Sequence, residues 1–386
     1  MPESGPAPSV AATGLSFGLF LAPQHVHGPL AARLDEHLEQ VRRARDAGFV
    51  SVMSGQHYLS DPYQMLQPVP LLARVAAEAG EMFVGTAVLL APLHNPVEIA
   101  ELAITMDAIC HGRFILGLGL GYRDVEFKAF GVPRGQRVAY LEEALTLVPA
   151  LWRERRVSHH SGRVDLAGAA FCAEPTRRPR PPIWVAANND PAILRAARLA
   201  DAWLINPHAK LSVLSRQMEL YQSERLRLGK PAAPVVPMLK EVYCAETTEE
   251  ALRDARPFLE DKYRTYVRWG QQKALPRNED DLDLPFETLQ GDRFVIGDPG
   301  EVIRQLERIR DTVHVNHMLL RMQWPGPDGS LEQSKVLRCI DLIGRHVIPH
   351  FASRGAGPDL GATDEGLAID AHQAGATAPA DAEHAT

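Results

Sequence analysis

Hydrophobic and polar residues alternate along the chain in two repeating patterns. Short and almost continuously apolar runs, the first of them LSFGLFL at residues 15–21, have the length and composition of buried strands. Between them lie longer segments, such as residues 31–47, whose apolar positions recur every three or four residues. That spacing is typical of amphipathic helices, and Gly48 stands where glycine commonly ends a helix. The pattern therefore predicts strands and helices that alternate.

Eight such strand–helix units can be counted between residues 15 and 353. Strands that are apolar on both faces belong to parallel sheets covered by helices, so the fold class is α/β. Eight units favour a (β/α)8 TIM barrel over an open, doubly wound sheet. Two segments interrupt the repeat: residues 157–175 read as a hairpin insertion after helix 4, and residues 270–294 as a long acidic loop before strand 8.

The two ends of the chain differ in composition from the part between them. Residues 1–14 are rich in Pro, Ala and Ser, and residues 354–386 are rich in Gly, Ala and Asp with few large apolar side chains. Such segments bury too little apolar surface to offset the entropy lost on ordering. We therefore predict a barrel domain at 15–353 between a disordered N-terminus and a disordered C-terminal tail.

Composition and charge narrow the classes of partner. The chain is 45% hydrophobic and 23% charged, as in ordinary globular proteins, and its formal net charge is −7. A negative protein is a poor partner for nucleic acid or an anionic membrane, and we see neither a secretory signal nor a membrane-spanning run. The four cysteines have no metal-ligand or disulfide spacing. These observations predict a cytoplasmic protein with no nucleic-acid or membrane partner.

The stretch SGQHYLSDPYQMLQP, residues 54–68, leaves the second predicted strand through polar side chains. In a (β/α)8 barrel, functional residues lie on the loops that follow the carboxyl ends of the strands. A histidine that serves only the core would more often lie within a strand or on a helix. The position of His57 is therefore as consistent with function as with packing.

Three glycines alternate with leucines in FILGLGLGY, residues 114–122. Alternate residues of a strand share a face, so Gly117, Gly119 and Gly121 would leave the barrel interior bare near its mouth, while the leucines face the outer helices. Glycines in strands often mark close approach of a ligand, here a flat aromatic ring. A tapering barrel packed with backbone is the alternative interpretation.

Two further strand ends carry candidate ligand-binding residues. Asn188 and Asn189 end strand 5 before a helix that begins at Asp190-Pro191, which suits either a phosphate or simple helix capping. His25 and His27 form an H-x-H pattern after strand 1, as in metal-dependent hydrolases. That reading needs more ligands, and His208 is the only later candidate, so we expect no metal.

From about Leu15 to Phe351 the chain resembles the bacterial luciferase-like monooxygenases, a superfamily of flavin-dependent (β/α)8 barrels. Relatives typically carry Glu-His-His or a close variant where this chain has Gln56, His57 and Tyr58. The resemblance rests on six segments in order: FGLFL on strand 1, AGFVSVMSGQHY on strand 2, VGTAVLLAPLHNPVEIAE on strand 3, GRFILGLGLGYRDVEFKAFGVP on strand 4, PPIWVAANNDPAILRAARLADAWL on strand 5 and GDPGEVIRQLERI before strand 8.

The resemblance implies a role for each matching position. His57 would be the catalytic residue that serves the oxygen chemistry. The segment at 270–294 corresponds to the family's mobile loop over the mouth. The predicted cofactor-binding residues are Ala87 and Val88, where relatives often have a non-prolyl cis peptide, Gly119 and Gly121 at the flavin ring, and Asn188 and Asn189 at its phosphate. We add Arg123 as a neutralising cation, and Gln24, His25, Gln56 and Tyr58 as the substrate pocket.

The resemblance also implies an activity. It predicts a monooxygenase that takes reduced FMN from a separate flavin reductase and uses O2 to oxygenate a small aldehyde- or ketone-like substrate. Relatives that use a deazaflavin, coenzyme F-420, as a hydride carrier supply a second reading, and a non-catalytic flavin-binding protein is a third. Relatives are commonly dimers or tetramers, so we expect a homo-oligomer.

Overall fold

The computed structural model describes residues 14–26, 28–276, 281–326 and 329–364. Neighbouring strands along the chain pair in parallel, and the first strand pairs with the eighth. Ile205 donates a hydrogen bond to Pro237 and accepts one from Leu239, which joins the sixth strand to the seventh and closes the ring. The (β/α)8 barrel is confirmed. Its strands are β1 (Ser16–Leu21), β2 (Ser51–Ser54), β3 (Phe83–Thr86), β4 (Phe114–Gly119), β5 (Ile183–Ala186), β6 (Ala202–Leu204), β7 (Pro237–Cys244) and β8 (His317–Arg321).

Helices surround the sheet. None of those in the described part of the chain is long and apolar enough to cross a membrane. They are α1 (Leu30–Asp46), α2 (Pro68–Ala79), α3 (Pro96–Ile109), α4 (Asp124–Ala129), α5 (Arg137–Arg153), α6 (Asp190–Leu199), α7 (Leu211–Arg227), α8 (Thr248–Arg268), α9 (Phe286–Arg293), α10 (Pro299–Val313), α11 (Gln333–Leu342) and α12 (Ile348–Ala352), with a π-helical turn at Ile343–Val347 and short 3-10 turns at Ala91–Leu93, Arg134–Gln136 and Gln271–Ala274.

Two apolar clusters follow from the alternation of side chains along the strands. Leu116 and Leu118 on β4 face outward and pack in the layer between sheet and helices, as predicted. Ile115 faces inward and packs in the barrel interior with Met53 and Trp184. Because the interior is filled by side chains, space for a ligand is left at the ends of the strands.

The two interrupting segments contain regular structure. The hairpin Val157–His160 with Asp165–Ala169 follows α5. The segment read as a loop at 270–294 contains α9 and leads into a ninth parallel strand, Phe294–Gly297, which pairs with β7. Residues 277–280 lie outside the described part of the chain. The remaining short strands are Gln24–His25 with Gln64–Met65, Pro325–Gly326 with Gly329–Ser330, and Leu89–Leu90 beside β4.

Residues 354–364 pack across the amino-terminal end of the barrel, which we call the base. Leu360 is 2% exposed and joins the interior cluster, and Ala356 accepts a hydrogen bond from Gly14. Asp364 accepts two hydrogen bonds of 2.9 Å from the guanidinium of Arg225. This part of the predicted disordered tail is therefore ordered, because one leucine and one carboxylate find buried partners. The rest of both predicted disordered ends, 1–13 and 365–386, lies outside the described residues.

Candidate active site

The carboxyl ends of the strands surround an open cavity of about 270 Å³, which we call the mouth. Its lining comes from the loops after β1 to β6, from β7, β8 and α8, and from residues 270–274. Nine of the predicted site residues border it: Gln24, Gln56, His57, Ala87, Val88, Gly119, Gly121, Asn188 and Asn189. His25, Tyr58 and Arg123 do not border it.

His57 is held by a buried carboxylate. Its Nδ1 lies 2.9 Å from Oε1 of Glu126, and the side chain of Glu126, on α4, is fully buried. The same oxygen accepts a hydrogen bond of 2.9 Å from the backbone N–H of Tyr58. A carboxylate only accepts, so Nδ1 of His57 is the donor and Nε2 is the nitrogen left to exchange a proton with a ligand. Glu126 was not among the residues predicted from the sequence, because it lies far from His57 along the chain.

Arg123 supports the loop after β2 instead of a phosphate. Its guanidinium donates hydrogen bonds of 2.6 and 2.9 Å to the carbonyl oxygens of Tyr58 and Leu59, and it stacks 4.2 Å from the ring of Trp269. Its donors are thus directed at the chain, behind His57. We therefore correct the prediction that Arg123 neutralises a phosphate.

One wall of the mouth is made of small residues. Gly119 faces the Ala87–Val88 peptide, which is cis, as the resemblance implies, and Gly121 borders the mouth next to Leu90. A Cβ added at Gly119 would lie 2.5 Å from Cγ2 of Val88, so a side chain there would displace the wall. Gly121 has a φ of +73°, a left-handed conformation that favours glycine. The wall is open to a flat ligand.

The alternation predicted for residues 114–122 holds only along the strand itself. A Cβ at Gly117 would collide with the carbonyl oxygen of Thr86, so that glycine lets β3 and β4 approach and does not border the mouth. Leu120 follows the end of β4 and borders the mouth, not the outer helices. Both differences correct the prediction: Gly117 lies within the strand, where β3 occupies the space beside it, and Leu120 lies beyond the end of the strand at Gly119.

Cations and amides converge beside this wall. Nε of Arg195 on α6 donates a hydrogen bond of 2.6 Å to Glu142 on α5. Each of these residues lies five positions after the first residue of its helix, so the N-termini of the two helices are neighbours. Asn189 caps α6 by accepting a hydrogen bond from Ala192. Burial and the adjacent Arg134 lower the pKa of Arg137, the first residue of α5. An anion bound here would relieve that repulsion. The residues of these two helix starts that border the mouth are Arg134, Arg137, Asn188 and Asn189.

The opposite wall carries buried charged residues that were not predicted from the sequence. Glu241 on β7 accepts hydrogen bonds from Lys262 on α8 and from the indole of Trp324. Burial raises the pKa of Glu241, but the adjacent Lys262 and Arg321 outweigh this effect and lower it. Glu241 lies within β7 and Arg321 ends β8, and both strands are buried along most of their length. A charge within a strand buried on both faces was the signal that could have revealed them.

Tyr266 on α8 connects this wall to the first strand. Its hydroxyl lies 3.1 Å from Nε2 of Gln24 and 3.4 Å from Nη1 of Arg321. Burial alone would raise the pKa of Tyr266, but the adjacent Arg321 and Lys262 outweigh it and lower that pKa. Gln24 thus borders the mouth as predicted, although its side-chain amide is hydrogen-bonded to Tyr266 and Arg321.

His25 belongs to the layer between sheet and helices. It is fully buried, and its Nε2 lies 2.9 Å from Nε2 of His37 on α1. Burial and the neighbouring His37 lower the pKa of His25 to about 3. Because Gln24 and His25 are successive residues of a short strand, they point in opposite directions, and only Gln24 reaches the mouth. The prediction that His25 lines the substrate pocket is wrong.

Tyr58 supports Gln56 and does not border the mouth. Tyr58 packs against Phe130 with ring centroids 4.5 Å apart, and its hydroxyl accepts a hydrogen bond of 2.8 Å from Gln56. Tyr58 therefore holds Gln56 in place, which corrects the assignment of Tyr58 to the substrate pocket.

The H-x-H pattern at residues 25–27 is not part of a metal site in the described structure. Within the described ranges, no group of three or more His, Cys, Asp or Glu residues could hold a metal, and His27 lies outside them.

These features fit a flat ring with an anionic tail. The glycine and alanine wall would accept the ring, and the cations and amides beside it would accept the anion. His57 borders the same cavity with one nitrogen available to hold or move a proton. The arrangement suits redox chemistry carried by a bound flavin-type cofactor.

Comparison with known proteins gives a family and two curated relatives. Residues 15–315 match the family model described as luciferase-like monooxygenase. An uncharacterized protein, y4vJ of Sinorhizobium fredii, is 23% identical over 355 residues, which cover 87% of this chain and 97% of that protein. The phthiodiolone/phenolphthiodiolone dimycocerosates ketoreductase of Mycobacterium bovis is 36% identical over 156 residues. That match spans only 40% of the ketoreductase's own length.

Solved structures share the fold at low sequence identity. Monooxygenase RslO1 from Streptomyces bottropensis has a TM-score of 0.77 at 21% identity, covering 87% of this chain and 100% of that one. The oxygenating constituent of the FMN-bound 3,6-diketocamphane monooxygenase from Pseudomonas putida has a TM-score of 0.72 at 19% identity, covering 87% and 99%. A coenzyme F-420-dependent secondary alcohol dehydrogenase has a TM-score of 0.70 at 18% identity, covering 86% and 98%.

Proposed function

The chain belongs to the luciferase-like monooxygenase family, and from this premise we propose that it uses reduced FMN and O2 to oxygenate a small aldehyde- or ketone-like molecule. The observation that carries the proposal is the placement of His57, held by Glu126, at the edge of a wall of small residues. A proton-transferring group beside a surface open to a flat ring is what flavin-dependent oxygenation requires of the protein.

The cofactor would be held by two parts of the mouth. Gly119, Gly121 and the Ala87–Val88 peptide would lie against the ring. Asn188, Asn189 and Arg137 would bind the phosphate, because amide N–H groups and a guanidinium without a carboxylate partner among the described residues favour an anion. Reduced FMN, when bound, supplies the two electrons with which one atom of O2 enters the substrate and the other leaves as water.

His57 would manage the proton in this reaction. The hydrogen bond from Nδ1 to Glu126 fixes the ring and its tautomer, so that proton exchange takes place at Nε2. Trp269 packs against the ring with centroids 5.5 Å apart, and the turn that follows it contributes Gln271 and Ala274 to the lining. These groups cover His57 and would limit the access of water. A closing role for the whole 270–294 segment stays a prediction.

A second candidate is a hydride transfer between a reduced deazaflavin and a ketone. It is favoured by the 36% identity to the mycobacterial ketoreductase and by the fold shared with the F-420-dependent alcohol dehydrogenase. The same wall and cations would serve that cofactor, and Nε2 of His57 would donate the proton to the carbonyl oxygen. A non-catalytic flavin carrier, the third reading, would have no use for the Glu126–His57 pair.

Turnover with isotopically labelled O2 separates these candidates. The full chain is supplied with chemically reduced FMN, labelled O2 and a panel of aldehydes and ketones, and products are analysed by mass spectrometry. We expect one labelled atom in the product. A parallel anaerobic assay offers reduced F-420 to the same ketones. Ketone-dependent oxidation of the deazaflavin without label incorporation would replace the monooxygenase by the reductase. No reaction in either assay, together with tight flavin binding, would favour the carrier. The separate reductase and the homo-oligomer remain predictions.

A further inference from the structure

We propose that the wall of the mouth formed by Arg321, Tyr266 and His208 binds an anionic oxygen of the organic substrate, such as a carboxylate or an acidic enol. This inference rests on the proposed function, because it names the substrate class of the same site.

The first observation is an excess of buried positive charge. Nη2 of Arg321 lies 2.9 Å from Oε1 of Gln24 and Nη1 lies 3.4 Å from the hydroxyl of Tyr266, and neither acceptor is a carboxylate. The carboxylate of Glu241 is 3.9 Å from Nε of Arg321 and already accepts from Lys262. Two buried cations therefore share one carboxylate. A buried charge is stable only when it is paired, so a second anion would complete the group.

The second observation is a buried histidine without a hydrogen-bond partner. His208 is 6% exposed and borders the mouth, yet neither of its ring nitrogens has a partner among the described residues. Its ring packs 5.6 Å from that of Tyr266. Burial and the adjacent Lys262 lower the pKa of His208 well below the usual range, so the ring is neutral. A neutral imidazole keeps one N–H donor for a ligand oxygen. Buried polar groups nearly always have partners, and here the cavity is where one could bind.

The third observation is the position of this wall in the ring of strands. Arg321 ends β8, Tyr266 lies on the helix after β7, and Gln24 follows β1. The cations and amides assigned to the cofactor phosphate follow β4 and β5, across the ring. Two separated sites for anions would fix the cofactor and the substrate at opposite sides of the mouth. They would thereby set the orientation of one against the other.

Titration calorimetry with benzoate and benzamide tests the proposal on the full chain. The two probes have nearly the same shape, and only benzoate is charged. Because hydrogen bonds to charged groups are the stronger ones, we expect benzoate to bind about tenfold more tightly or better. Tyr266→Phe and His208→Phe keep an aromatic ring in place and should each reduce that preference severalfold. Arg321→Met should abolish it, but the two Phe variants decide the matter if Arg321→Met does not fold.

Arg137→Gln, at the cofactor side of the mouth, is the matched control and should leave the preference for benzoate intact. Equal binding of the two probes, binding of neither, or a preference lost only in Arg137→Gln would overturn the proposal. Reduced FMN and reduced F-420 are titrated in parallel. A preference for benzoate without binding of either cofactor would contradict the proposed function and support the anion site. Binding of a cofactor without that preference would support the proposed function and contradict the anion site.

Discussion

The base and the mouth of the barrel are built from the same strands, but their buried charges are balanced differently. At the base, Arg180 makes two hydrogen bonds to Asp201, and Arg225 makes two to Asp364. At the mouth, a single carboxylate, Glu241, borders the cavity among the described residues. Five cations border the same cavity, Arg134, Arg137, Lys262, Lys273 and Arg321, and of these Arg134 pairs with Asp124 and Lys273 is exposed to solvent.

The histidines at the two ends show the same contrast. His317, at the start of β8, has a serine hydroxyl on each ring nitrogen, Ser16 at 2.8 Å and Ser51 at 2.9 Å. His57, after β2, has one nitrogen on Glu126 and the other available. At the base, His317 and the two paired arginines are satisfied by the chain itself, whereas at the mouth His57 keeps a nitrogen that a ligand can use. Buried atoms without a partner among the described residues also occur elsewhere, as at Asp107, so the functional end is marked by such groups only where they border a cavity.

The largest expected effect is at the mouth, on activity alone. Replacing His57 by Gln removes the proton-transferring group, and turnover should fall by about 10²–10⁴-fold, the usual contribution of such a group. The free energy of unfolding should change little, because Glu126 retains the N–H of Tyr58 as a donor. Rates come from the labelled-oxygen assay, and stability from urea denaturation.

His159→Gln is the matched control for that variant. His159, on the hairpin and outside the mouth, makes a hydrogen bond of the same 2.9 Å length with Glu143 on α5. Its replacement should leave turnover unchanged. Equal losses in the two variants would break the distinction between mouth and remainder.

The next effect lies at the base and should be on stability alone. Asp364→Asn removes the charge that pairs with the fully buried Arg225, and leaving a buried cation unpaired should lower the free energy of unfolding by about 3–5 kcal/mol. Binding of reduced FMN by the folded protein should be unchanged. Asp359→Asn, at an exposed pair with Arg177, is the control and should cost below about 1 kcal/mol. A variant Asp364→Asn as stable as the parent would show that the tail does not close the base.

A smaller effect is expected at Gly119, where the wall of the mouth has no room for a side chain. Gly119→Ala places a Cβ 2.5 Å from Cγ2 of Val88, and such overpacking should destabilise the fold by about 1–3 kcal/mol. Affinity for reduced FMN should fall as well, since the displaced wall faces the ring. Gly135→Ala, where a Cβ would meet nothing within 4 Å, is the control for both measurements. Unchanged affinity in Gly119→Ala would argue that the ring lies elsewhere.

The last effect concerns the base, and it is small only over a single pH unit. Burial lowers the pKa of His317 to about 3, so the folded protein resists a proton that the unfolded chain accepts below about pH 6.5. Stability from this residue is therefore intact above pH 6.5 and is lost as pH falls toward 3, by about 1.4 kcal/mol per pH unit. His317→Asn should reduce the slope of unfolding free energy against pH by that amount. An unchanged slope in this window would contradict the account of the base.

The regular fold could be predicted from the sequence because its strands are apolar on both faces and its helices are amphipathic. The eight barrel strands lie where those patterns indicated. The segment at 354–364 could not be predicted, since its composition is that of a disordered chain and only Leu360 and Asp364 dock it. The strand Phe294–Gly297 was missed because four apolar residues beside polar ones resemble a loop.

The site was only partly accessible to sequence reasoning. Residues at strand ends, such as His57 and Asn188, could be found because the fold places those ends together. The direction of a side chain could not be found for His25 or Arg123, because it depends on single-residue register and on which acceptors lie nearby. Glu126 was missed because its pairing with His57 depends on the packing of α4 against the loop after β2.

The proposal that the mouth binds an anionic flavin is tested most directly by comparing the affinities for reduced FMN and for reduced riboflavin, which has the same ring and no phosphate. Anaerobic titration of the full chain, followed by absorbance, gives both affinities. We predict that FMN binds about tenfold more tightly or better, and that Arg137→Gln removes most of this difference. Equal affinities in the parent protein, or no binding of either flavin, would contradict the account.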